Sequence, residues 1–240
     1  MRVGVLVIGS LLWDNGHRKT WRCTRLNLSE QIRVRAPIRY GRRSRTWGNT
    51  FTMVFRSDGF LGEAVLVPCL SSVVDIDDLV QEASALWKAE RPSAQEGEVG
   101  ASWGCVGTLF RGEDADINLA KKWGQYFQER SERPIAPVDS DGILRILWPA
   151  KLDHSPLTEV DIILSTATQA EVALPTAEDI ADAWINQDSG YERYFFENVR
   201  HGIRTAEDLE IWGRIEKQSP RWLRKPEYAE VISLLRAEAT

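Results

Sequence analysis

Ile8-Gly9-Ser10-Leu11-Leu12-Trp13, where the apolar run from Val3 to Ile8 ends, is the first segment suited to holding a ligand. A glycine that closes a buried strand lets the backbone approach a ligand and take up a positive φ, and the N–H groups after it can converge on an anion such as a carboxylate. An ordinary strand-ending turn has the same residues, so the segment marks a place and does not by itself name a reaction. A second grouping is basic: Arg33, Arg35, Arg39, Arg42, Arg43 and Arg45 fall within thirteen residues, interleaved with Tyr40 and followed by Trp47. Arginine among aromatics suits phosphates and stacked bases. The whole chain is acidic, however, with a formal net charge of −5 and a pI near 5.4. No global field draws it onto nucleic acid or an anionic membrane. Ion pairing with nearby carboxylates, or recognition of an acidic substrate, is the expectation for these arginines, and nucleic acid is not expected as a partner.

Thiol and metal chemistry is sparsely supplied. Cys23, Cys69 and Cys105 are odd in number, far apart and without a Cys-x-x-Cys pair, which argues against a zinc site and a disulfide framework and for small buried hydrophobes in a reducing cytoplasm. His17, His154 and His201 are isolated, with no His-x-x-x-His spacing, so no metal is expected. The ten tryptophans are scattered from Trp13 to Trp222 and read as core and pocket lining.

The elements that must position these residues follow from periodicity. The continuous run Val3 to Ile8 reads as a strand buried on both faces. Gln31 to Tyr40 alternates loosely, Thr50 to Phe55 and Gly62 to Pro68 read as strands, and Ser57-Asp58-Gly59 supplies a turn between them. Ile76, Leu79, Val80, Ala83, Leu86 and Trp87 recur at helical spacing behind the acidic start at Asp75, predicting a helix from about 76 to 90. Val106 to Phe110, Ile143 to Trp148 and Asp161 to Leu164 read as further strands, and Asp116 to Gln128 as a helix. Arg91 to Ser102, with Pro92, Gly97 and Gly100, is expected to be the most mobile loop. From Thr176 the chain turns helical, opened by the capping signature Thr176-x-x-Asp179, with further helices around Tyr191 to Val199 and Ala206 to Glu216. Strands not regularly separated by crossover helices indicate α+β.

With 240 residues, 43% of them apolar, the chain can bury one large core. Its longest fully apolar runs, such as Ala64-Val65-Leu66-Val67, are far below the roughly 20 residues of a membrane-spanning helix. The apolar start leads straight into a Gly-Ser turn with no small-x-small cleavage site, so it reads as a first strand and not as a signal peptide.

Taken in order, these segments resemble the gamma-glutamylcyclotransferase superfamily, and in particular its glutathione-degrading ChaC-like branch. Ile8-Gly9-Ser10-Leu11, extended by Leu12-Trp13, is similar to the branch's Gly-Ser-Leu-Ile-Trp after the first strand. Tyr40-Gly41-Arg42-Arg43 resembles its Gly-x-Arg-Arg segment, and Gly62 to Val67 its Gly-x-x-Tyr-x-Val strand. Leu86-Trp87-Lys88-Ala89-Glu90 resembles the helix-ending Leu-x-x-x-Glu that carries the family's catalytic glutamate. Asn198 to Asp208, with Gly202-Ile203, is similar to the branch's C-terminal Gly-Ile-x-Asp region. Three departures stand out: Ile8 and Leu66 replace family tyrosines, and Glu90 is followed by Arg91-Pro92 in place of the family's Gly-Tyr continuation. The likeness spans residues 1 to 90 chiefly.

The resemblance implies a mixed β-barrel or sheet with flanking helices over residues 1–175 and a helical C-terminal extension, 176–240, packed on the same domain; residues 100–240 exceed what compact members of the family need, and this extra half is expected to cap the pocket. It implies release of 5-oxoproline and an amine or peptide from a small γ-glutamyl compound, with no cofactor or metal. Glu90 would be the general acid/base, and Ile8, Gly9, Ser10, Leu11, Leu12 and Arg42 would bind the substrate. Glu82, two turns earlier on the same helix, and Glu63 stay open as alternative pocket carboxylates. A non-catalytic binding module of the same fold is the competing expectation.

Overall fold

Buried apolar runs build the sheet. The computed structural model describes residues 1–56, 60–112, 117–186 and 190–239. Strand β1 (Arg2–Val7) is buried from Val3 onward. It pairs antiparallel with β5 (Gly62–Ser72) on one side and parallel with β8 (Ile162–Thr168) on the other. A strand so placed has neighbours on both edges and needs apolar side chains on both faces. Strands β2 (Ile32–Ala36), β7 (Gly104–Phe110) and β6 (Gly100–Ala101) complete a six-stranded mixed sheet of order β2-β5-β1-β8-β7-β6.

Strands β3 (Ile38–Ser44) and β4 (Thr50–Phe55) form a separate antiparallel hairpin that packs against β5 and β8. Among the described residues the strands close no barrel, because β3 and β4 pair with each other and not with an edge of the large sheet. The loosely alternating stretch from Gln31 to Tyr40 is therefore two strands, separated at Pro37, a residue with no N–H to give to a ladder.

Seven α-helices occur among the described residues: α1 (His17–Arg25), α2 (Ile76–Glu90), α3 (Ile117–Arg130), α4 (Ala177–Ile185), α5 (Arg193–Arg200), α6 (Asp208–Gln218) and α7 (Ala229–Glu238). Asp75 caps α2, its carboxylate accepting from the N–H groups of Asp77 at 3.0 Å and Asp78 at 3.2 Å. The expected box at α4 is formed in both directions, Thr176 Oγ1 accepting from Asp179 N at 3.1 Å and Asp179 Oδ2 from Thr176 N at 2.9 Å. Both helices were legible from their caps and periodicity.

Other expectations are corrected. Ile143 to Trp148 forms no strand: Ile143 and Leu144 make only single bridges, to Thr108 and Val138, and the segment otherwise runs as irregular backbone. Helix α1 occupies a stretch that reads as merely polar, and α7 lies beyond the last helix expected. The turn at Ser57-Asp58-Gly59 and the helix start at Asp116 lie outside the described residues. The C-terminal helices pack onto the rest of the molecule, α4 against β4 and α5 against the 3-10 turn Ser10–Leu12. No helix among the described residues is long and apolar enough to cross a membrane.

Candidate functional site

A cavity of about 290 Å³ opens where the C-terminal ends of the parallel strands β1 and β8 meet the β3–β4 hairpin. Its size is near the lower end of small-molecule pockets, roughly 300–1,000 Å³. The wall is assembled from residues far apart in the chain. Ile8 to Leu11 follow β1, Arg18 comes from α1, Arg42 from β3, Glu90 ends α2, Thr166 lies on β8 and Tyr194 on α5.

The turn after β1 is held from α1. Buried Arg22 donates to the carbonyls of Leu11 at 2.8 Å and Asp14 at 2.7 Å, and to Asn15 Oδ1 at 3.0 Å. Burial lowers the pKa of this guanidinium, which keeps its charge against that tendency. Within the turn, Leu12 N donates to Gly9 O and Trp13 N to Ser10 O, while among the described residues the N–H groups of Ser10 and Leu11 have no protein acceptor. Gly9 does not use the positive φ expected of it, since its φ of −178° is extended backbone. Its missing side chain makes room instead: a Cβ there would stand 2.5 Å from Tyr194 Oη.

Glu90 is largely buried on the cavity wall, its side chain 17% exposed. Arg18 Nη2 donates to Glu90 Oε2 at 3.0 Å, and Arg18 Nη1 donates to Ser10 Oγ at 2.6 Å and Asp14 Oδ2 at 3.1 Å. One guanidinium thus ties the candidate glutamate to the candidate cradle. Glu90 Oε1 accepts from Thr166 Oγ1 at 3.3 Å. The helix terminus is itself a negative pole, and the arginines offset it.

Arg42 reaches the cavity through a bulge. The β3–β4 register skips at Gly41, between the pairs Tyr40–Met53 and Arg42–Thr52, and such an inserted residue re-aims the side chains after it. The Arg42 guanidinium lies over the Trp103 ring at 4.7 Å, and among the described residues it pairs with no carboxylate. Burial lowers its pKa, opposed by the nearby Glu90 charge. Its neighbours in the basic run are spent elsewhere: Arg33 and Arg35 on Glu63, Arg39 on Glu207 at 3.1 Å, and Arg43 over the Phe51 ring at 4.2 Å. The run is split between β2, β3 and the 3-10 turn Arg45–Trp47.

Of the residues singled out from sequence, Ile8, Gly9, Ser10, Leu11, Arg42 and Glu90 come together on the cavity wall. Leu12 does not line it; it is buried in the apolar core. Glu82 is not there either: it faces Arg25 at 3.1 Å, away from the cavity, and burial raises its pKa. Glu63 is engaged with Arg33 and Arg35.

Trp47 and Trp103 fit the expectation that tryptophans line a pocket, whereas Arg18, Thr166 and Tyr194 were missed. Only long-range pairing brings them in, and an isolated arginine or threonine carries no sequence signal of it. Two of the cysteines are ill suited to nucleophilic work, since burial pushes Cys69 up to about 12 and Cys105 up to about 11, whereas Cys23 is exposed and not the buried hydrophobe expected. Among the described residues no group of three His, Cys, Asp or Glu could hold a metal ion. No model of a known protein family, no curated protein and no solved structure matches the chain.

Proposed function

We propose that the chain is a gamma-glutamylcyclotransferase-like enzyme, of the corresponding α+β fold, that converts a small γ-glutamyl compound into 5-oxoproline and a free amine or peptide. The observation that carries this reading is that Glu90, Arg42, Ser10 and Leu11 line one small cavity, where among the described residues Arg42 pairs with no carboxylate and the N–H groups of Ser10 and Leu11 meet no protein acceptor. A γ-glutamyl head is a zwitterion. Its α-carboxylate matches Arg42 and the two N–H groups, and its α-ammonium matches the Glu90 carboxylate.

In the reaction the α-amine attacks its own γ-carbonyl. One proton must leave the α-ammonium before its nitrogen can attack and a second as the new C–N bond closes the five-membered lactam; the old amide C–N bond breaks, and each proton moves from the attacking nitrogen to the leaving one. Glu90 Oε1 takes each proton in turn and returns it, while Arg18 holds Oε2 and fixes the carboxylate plane. Binding the substrate by its α-carboxylate folds the chain towards ring closure, and this positioning supplies most of the rate.

A second reading is a binding module of the same fold. It is favoured by one observation, that both oxygens of Glu90 already have protein partners, Arg18 and Thr166. The two readings separate on 5-oxoproline release from glutathione and a panel of γ-glutamyl amines and dipeptides, followed by mass spectrometry. Turnover on at least one compound is expected. Saturable binding without any product points to the module.

A further inference from the structure

Tyr194 belongs to the C-terminal helices, yet it lines the cavity, with its hydroxyl against Gly9. The residue is 3% exposed. Its ring is fixed by edge-on contacts with Trp13 at 5.9 Å, Trp47 at 5.4 Å and Tyr40 at 6.4 Å between centroids. Met53 N donates to Tyr194 Oη at 3.2 Å, which uses a lone pair of the phenol and leaves its proton free. Among the described residues that proton has no protein acceptor. A buried hydroxyl with an unspent donor is costly unless a partner meets it. The position of the hydroxyl says where that partner sits, because Oη occupies the space that any side chain at residue 9 would fill.

We propose that Tyr194 is a catalytic hydrogen-bond donor, its O–H directed at the acyl oxygen of the ligand held beside Gly9, so that the C-terminal helices complete the site. This rests on the cyclotransferase reading for its chemistry. As the α-nitrogen bonds to the γ-carbon, the carbonyl π electrons move onto oxygen. The phenol O–H then donates to that oxyanion and keeps its own proton throughout. When the leaving C–N bond breaks, the electrons return to the carbonyl and the nitrogen departs with the proton carried by Glu90. Burial pushes the phenol up to about 12, so it stays protonated, and a donor, at neutral pH. A fixed donor that strengthens as charge develops acts on the transition state more than on substrate binding.

The test compares the wild-type chain with Tyr194→Phe, which keeps the ring, and with Tyr40→Phe. Tyr40 also has a buried hydroxyl without a protein partner, but it lies outside the cavity lining. Two readouts are needed: 5-oxoproline release, and 5-oxoproline binding followed through intrinsic tryptophan fluorescence, since Trp47 and Trp103 line the cavity. The expected result for Tyr194→Phe is kcat lowered about 100-fold with KM within about threefold. Affinity for 5-oxoproline should fall about five- to tenfold, with the chain still folded but its unfolding midpoint lowered, because Met53 N loses its acceptor, and with Tyr40→Phe like wild type in kcat and affinity. Wild-type kcat and affinity in Tyr194→Phe overturn the proposal, as does a loss matched by Tyr40→Phe. A wild-type chain that binds 5-oxoproline through Tyr194 but releases none from any γ-glutamyl compound upholds the donor and removes the turnover reading. A chain that neither turns over nor binds 5-oxoproline overturns both.

Discussion

Tyr194 Oη stands 2.5 Å from the point where a Cβ on Gly9 would be, so one hydroxyl dictates glycine at the end of the first strand. The phenol carbon behind it, Cζ, is 3.5 Å from that point, an ordinary contact distance. Gly9→Ala should therefore destabilise the protein by about 1–3 kcal/mol through overpacking. In the Tyr194→Phe background the same change should cost much less, giving a coupling of about 1–2 kcal/mol in a double-mutant cycle of urea unfolding. Additive effects would mean that the hydroxyl does not occupy that space.

Arg42 is a cation in the cavity wall whose one described partner is the Trp103 ring. Arg42→Ala should raise KM for an anionic γ-glutamyl substrate about 10- to 100-fold while changing kcat less, because a ground-state ion contact is removed along with part of its transition-state counterpart. Steady-state kinetics across the γ-glutamyl panel checks this. A fall in kcat at constant KM would assign Arg42 to the chemical step instead.

The parts of this site that could be read from sequence are those whose signal is local. Helix α2 announces itself by apolar spacing and an acidic cap, and Glu90 is its last residue. The strand-turn from β1 into Gly9-Ser10 is equally local. Arg18 lies on a helix in which Trp21 and Arg22 are the buried residues, so α1 offers almost no apolar stripe for periodicity to detect. Thr166 reaches Glu90 across 76 residues, and Tyr194 reaches Met53 across 141. Such meetings are decided by strand pairing and helix docking, which single residue types do not encode. The separate pairing of β3 with β4 was not legible for a related reason: alternation locates strands but does not say which edge each one joins.

Asp208 makes stability depend on pH in an unusual direction. It is fully buried, and burial raises its pKa to about 6, against the opposing pull of Arg204 at 2.8 Å and the hydroxyl of Thr205. The unfolded chain would titrate this group at about 3.9. The folded state thus binds the proton more tightly, so the group's favourable contribution is complete below about pH 4 and is lost as pH rises through about 6. The difference of about two pH units corresponds to roughly 3 kcal/mol. Asp208→Asn should gain stability relative to wild type by that order between pH 4 and pH 7, measured by urea unfolding at both. Parallel stability curves would contradict this.

Glu90 sits at a helix end on the cavity wall, clamped through Arg18 at 3.0 Å. The most direct test is 5-oxoproline release from glutathione and the γ-glutamyl panel by wild type and Glu90→Gln, with circular dichroism to verify folding. The account predicts turnover by wild type and a loss of at least about 100-fold in kcat for a folded Glu90→Gln chain, the scale of a missing general acid/base. Undiminished turnover in that variant would contradict it.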